Sequence, residues 1–133
     1  MNAVTHINPD GLPTNPGFTH AVKVPGGMAL VFIGGQNGVD ASGNVVSDSA
    51  DEQAVQALRN VELGVKAAGG SIADVVKWTI LVADPATLGP GFDAFQRLWA
   101  GRPNPPAVTV QVVAGLANPR YLVEVEAIAA VAS

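Results

Sequence analysis

The sequence contains no cysteine. That excludes disulfides, thiolate metal sites and a cysteine nucleophile. Charge is also scarce: 14% of the 133 residues are charged against 48% hydrophobic, too few charges to cover the surface of a domain this small. Some apolar area is therefore expected to meet another subunit. There is no basic run. The seven cations Lys23, Arg59, Lys66, Lys77, Arg97, Arg102 and Arg120 are scattered among eleven acids, for a net charge of −4. This pattern argues against nucleic acid and against a basic membrane-surface helix. Apolar runs are short. Met28 to Ile33 is among the longest, far below the roughly 20 residues that span a bilayer. Met1 to Pro16 is polar and rich in Pro and Asn, unlike a signal peptide, so the expected location is the cytoplasm.

The same scarcity limits the chemistry. With only His6 and His20, and no short His/Asp/Glu cluster beside either, no metal site is expected. The glycines at 34, 35 and 38 lack the spacing and the Lys-Ser/Thr pair of a phosphate-binding loop, so no nucleotide cofactor is implied. No serine sits in a nucleophile-elbow motif.

What is present reads as one domain over 1–133. Phe18–Val24 and Met28–Ile33 are β-prone runs around Pro25-Gly26-Gly27, the pattern of a hairpin. Ser49 and Glu52 have capping-box spacing. The apolar repeat Ala54, Leu58, Val61, Val65, Ala68 then predicts a helix over about 50–68, stopped by Gly69 and Gly70. Val75–Ala83 predicts a strand. Leu88, Phe92, Phe95 and Trp99 fall on one face of a second helix and read as core. After Pro103–Pro106 come two strands, Ala107–Val113 and Tyr121–Ala132. The expected fold is α+β, a two-layer sandwich with a mixed, six-stranded-type sheet and two helices on one face. The other sheet face is left without cover from the chain itself.

Two features could carry chemistry. Glu124 and Glu126 share a strand face with Leu122 and Ile128. Either they form a solvated strand edge, or one is a carboxylate in a pocket, fit for general acid/base work on water. Gly34-Gly35-Gln36-Asn37-Gly38 directly follows a strand. It is either an ordinary turn or a loop whose backbone N–H groups approach a ligand.

Five segments in order resemble the Rid (YjgF) family of imine deaminases along nearly the whole chain. Asn15–Val22 is similar to the family's GPYSQAV, Ile33–Gly38 to its SGQIG loop and Ala54–Asn60 to its EAxxALxN helix. Val75–Asp84 is similar to its VVKTTVxLxD strand, and Val123–Ala127 to its IEIEA. The resemblance implies a chorismate-mutase-like homotrimer with pockets between subunits and a small-molecule substrate. It places Glu124 on the water-positioning glutamate and Gly35 on the glycine whose N–H meets the ligand, with Gln36 beside it. It also places Ala107 where the family's carboxylate-gripping arginine stands, a fork no other side chain reproduces. Phe18 takes the place of a tyrosine, Gly34 of a serine and Thr109 of a cysteine. Further candidates are Leu88 and Glu126, with Arg102 and Arg120 as substitute cations. A divergent hydrolase of an imine or enamine, weak on ordinary 2-imino acids, is the expectation; a non-catalytic ligand- or partner-binding homologue is the alternative.

Overall fold

The computed structural model describes residues 4–133. Its main sheet holds four strands in the order β3-β6-β4-β5: β3 (Met28–Asn37), β4 (Val75–Val82), β5 (Ala107–Val112) and β6 (Val123–Ala132). β6 runs antiparallel to both neighbours, while β4 and β5 are parallel. A parallel pair needs a crossover, which helix α2 (Leu88–Trp99) supplies; helix α1 (Ala50–Ala67) precedes β4. The sheet is therefore mixed, as expected, with two helices packed on each other and on one face.

The remaining two strands, β1 (Thr5–Ile7) and β2 (Ala21–Lys23), form a separate antiparallel ribbon. This corrects the expected hairpin between β2 and β3. β3 pairs along its length with β6, and Gly27, at φ 91°, turns the chain out of β2's direction. β2 instead pairs with β1, from the N-terminal segment read as irregular, through Thr5↔Lys23 and Ile7↔Ala21.

Strand alternation decides what faces the helices. Trp78, Ile80 and Val82 of β4 lie beside Val123, Val125 and Ala127 of β6. All are buried against Ala54, Ala57, Leu58, Val61 and Val65 of α1. Trp78 meets Phe95 edge-on at 5.7 Å, and Phe95 stacks on Trp99 at 6.4 Å. The second helix departs from expectation at its start: Phe95 and Trp99 are core, but Leu88 is 37% and Phe92 45% exposed. Ala94 makes the contact with the core beside Phe95, and the first turn overhangs the edge strand, where Leu88 and Phe92 border a groove with Val110.

The Ser49–Glu52 capping box does not form. Ser49 makes no side-chain cap bond, and its own N–H donates to Ser47 Oγ. The buried Gln53 closes that end of α1. Its Nε2 donates to the carbonyls of Ser47 (2.8 Å) and Arg120 (3.0 Å), and its Oε1 accepts from Leu122 N–H (2.9 Å). At the other end Gly69 takes a positive φ of 89°, the left-handed stop that the glycine pair predicted.

The second sheet face is open. Leu30 and Phe32 stand 51% and 71% exposed on it, together with Lys77, Thr79, Glu124, Glu126 and Thr109. No helix among the described residues is long and apolar enough to cross a membrane.

Candidate functional site

The open face is built in rungs. Leu81, Glu124 and Asn37 form one rung across β4, β6 and β3; Thr109, Thr79 and Glu126 form the next across β5, β4 and β6; Ala107, Lys77 and Ile128 form a third. Successive rungs on one face lie about 6 to 7 Å apart.

Glu124 is held from two sides. Asn37 Nδ2 donates to its Oε1 at 3.3 Å and to the Val123 carbonyl at 3.1 Å. Below the carboxylate lies Gly35, where even a single added carbon would collide with the Glu124 side chain. This approach follows from a register shift between Ile33 and Gln36 that re-aims the loop residues. The loop is fixed from α1: Asn60 Nδ2 donates to the carbonyls of Asn37 (3.1 Å) and Val39 (3.0 Å), and Gln56 bonds Asn60 in turn. A relay of amides thus ties helix α1 to the Glu124 carboxylate.

A cavity of about 330 Å³ opens on the same face, lined by Phe32, Gly34, Lys77, Thr79, Glu126 and Ile128 among others. Lys77 Nζ donates to Thr109 Oγ1 at 2.5 Å. Ala107 is the register partner of Lys77, so a side chain there would project beside the ammonium.

Of the sequence candidates, Gly34, Gly35, Ala107, Thr109, Glu124 and Glu126 therefore share the open face or its rim. Gln36 does not: it pairs with Val125, whose side chain enters the helix layer, and its Nε2 bonds the Gly34 carbonyl. Phe18 sits by the start of β5, where Thr19 N–H bonds the Pro106 carbonyl, and packs edge-on against His20 at 5.2 Å. Leu88 is on the other side of the sheet, in an apolar groove of about 500 Å³ with Ile80, Val82, Phe92 and Val110. Neither substitute arginine borders the cavity within this chain. Arg102 donates to the Leu98 and Trp99 carbonyls and lies over the Trp99 ring. Arg120 pairs with Asp48 at 3.0 Å. Sequence reasoning passed over Asn37 and Lys77; the available signal for Lys77 was a single cation inside an otherwise apolar strand.

No group of three or more His, Asp or Glu side chains converges as a metal site among the described residues. His6, on β1, has its pKa lowered by burial, which favours the neutral imidazole.

Residues 12–131 match the family described as endoribonuclease L-PSP. The chain belongs to the Rid (YjgF) family. A mouse protein named 2-iminobutanoate/2-iminopropanoate deaminase is 40% identical over 114 residues, 84% of this chain and 79% of the relative. The rat protein of the same name is 37% identical over 100 residues, 74% of this chain and 71% of that one. Among solved structures, a Yersinia pestis protein of unknown function from the conserved Rid family superposes with a TM-score of 0.85 at 33% identity. The match covers 97% of this chain and 98% of that one. That likeness covers the mixed sheet and the two helices together.

Proposed function

We propose that this Rid-family chain hydrolyses a small imine or enamine in a pocket on the open sheet face, with Glu124 as the water-activating carboxylate. The observation that carries this reading is the clamped Glu124: Asn37 donates to one carboxylate oxygen while Gly35 leaves room on the loop side. A carboxylate fixed this way can take a proton from water as the oxygen attacks the imine carbon. It can return that proton to the nitrogen to give the carbinolamine, then carry the hydroxyl proton to the amino group, so that the C–N bond breaks as the carbonyl forms and ammonia leaves. The mouse and rat relatives, named as imine deaminases, support the reaction class.

Ala107 in the arginine position sets the expected limit. A lost charged contact in a desolvated site costs about 2 to 5 kcal/mol, roughly 30- to 4000-fold in rate. Turnover of 2-iminobutanoate, generated in situ from an amino acid and read as the oxo acid formed, should fall below that of the mouse relative by a factor in this range. Equal turnover by the two proteins would overturn the pocket assignment.

The proposed assembly is a cytoplasmic homotrimer of one-domain subunits. Exposed Phe32 and Leu30 beside the cavity support a subunit covering that face. They equally favour the second reading, a non-catalytic pocket for a small apolar ligand or a partner protein. Nucleic acid ranks behind both: Lys66, Arg97 and Arg120 are each paired with an acid, and the net charge is −4.

A further inference from the structure

Lys77 takes no part in holding Glu124 or its loop. It is half-buried on β4, at the wall of the 330 Å³ cavity, and forms no ion pair among the described residues. Its one hydrogen-bond partner among the described residues is neutral, the Thr109 hydroxyl. An ammonium has three donors, and a hydroxyl that accepts from it still has its own proton to give. Two ammonium N–H groups and the Thr109 O–H therefore remain for whatever fills the cavity. A half-buried charge with so little compensation is best satisfied by an anion.

The neighbours narrow the kind of anion. Glu126 lines the same cavity, and Glu124 lies one rung further along the strand. Two carboxylates near one ammonium disfavour a dianion such as a phosphate ester. They favour a ligand with one negative group at Lys77 and a basic or electron-poor nitrogen towards the glutamates. The cavity volume of about 330 Å³ suits a compound of a few carbons, with room for one water.

We propose that Lys77, assisted by Thr109, is the anion-anchoring residue of this pocket, taking the single carboxylate of a small imino, amino or oxo acid. The proposal rests on the hydrolase reading for the identity of the pocket. It replaces Arg102 and Arg120, whose own partners hold them elsewhere in the chain. Lysine presents a point charge rather than a fork, so it supplies selectivity for a carboxylate without the full grip of a bidentate arginine.

The test compares binding of 2-oxobutanoate and its uncharged amide, 2-oxobutanamide, by NMR titration of the full chain as wild type, Lys77→Met and Lys77→Arg. Lys77→Met should weaken the acid about 10- to 100-fold and leave the amide within about threefold, and Lys77→Arg should restore most of the loss. Unchanged acid binding in Lys77→Met, an equal loss for acid and amide, or no acid binding by wild type would each overturn the anchor. Hydrolysis of 2-iminobutanoate by the same samples separates the two ideas. Turnover with Lys77-independent acid binding removes the anchor and keeps the hydrolase, whereas Lys77-dependent binding without turnover does the reverse.

Discussion

Glu124 lies directly over Gly35, so closely that a β-carbon at position 35 would collide with Oε2 and stand 2.7 Å from Cδ. What must yield there is the free end of a flexible side chain. Gly35→Ala should therefore displace the carboxylate at little cost to the fold: turnover or ligand binding falls about tenfold or more, while Tm changes little. Gly38→Ala is the control. Its β-carbon would meet the Cα of Gln53 at 2.5 Å and its carbonyl oxygen at 2.8 Å, and helix backbone cannot swing aside. Overpacking of about 1 to 3 kcal/mol should lower Tm by roughly 5 to 15 °C. If thermal melts showed the larger loss for Gly35→Ala, the functional reading of that contact would be wrong.

The two glutamates should separate on amide substitution. Glu124→Gln keeps size and hydrogen-bonding reach but cannot take a proton, so turnover should drop at least about 100-fold with the subunit assembly intact. Glu126 is exposed and has no hydrogen-bond partner among the described residues; Glu126→Gln should keep turnover within about threefold. Wild-type rates from Glu124→Gln would end its catalytic assignment.

Gln53 is fully buried and closes three backbone hydrogen bonds between the start of α1, the Ser47 loop and the entry to β6. Gln53→Leu preserves the apolar volume but strands two carbonyls and one N–H. The expected loss is about 3 kcal/mol or more, a fall in Tm of roughly 10 °C. A melt within 2 °C of wild type, on the order of half a kcal/mol, would show that water replaces the amide there.

Phe32 presents 71% of its surface on the open sheet face. Light scattering should give the mass of three chains for the wild type. Phe32→Glu, which places a charge among the apolar residues a neighbouring subunit would cover, should give one chain with an unchanged circular dichroism spectrum. A wild-type monomer at micromolar concentration would sink the trimer and the shared pocket together.

Local chemistry determined much of this protein. The Ala54-Leu58-Val61-Val65 repeat places α1, because a helix must bury a stripe of period 3.6. Gly69 stops it, because only glycine takes φ 89° without strain. The alternation in Val123–Ala127 puts Glu124 and Glu126 on one face whatever the strand pairs with. Pairing itself was not legible. Whether β2 would join β3 or β1, and which strand would lie beside β6, depends on long-range hydrogen bonds that no local pattern encodes. The second helix shows the same limit: Leu88 and Phe92 have core spacing, yet the helix meets the core through Ala94, Phe95 and Trp99 and leaves them outside. The site was legible only in part for the same reason. Glu124 and Gly35 stand out as a strand carboxylate and a glycine loop. The Asn60–Asn37–Glu124 relay and the meeting of Lys77 with Thr109 and Ala107 exist only because the sheet sets residues far apart in sequence on adjacent strands.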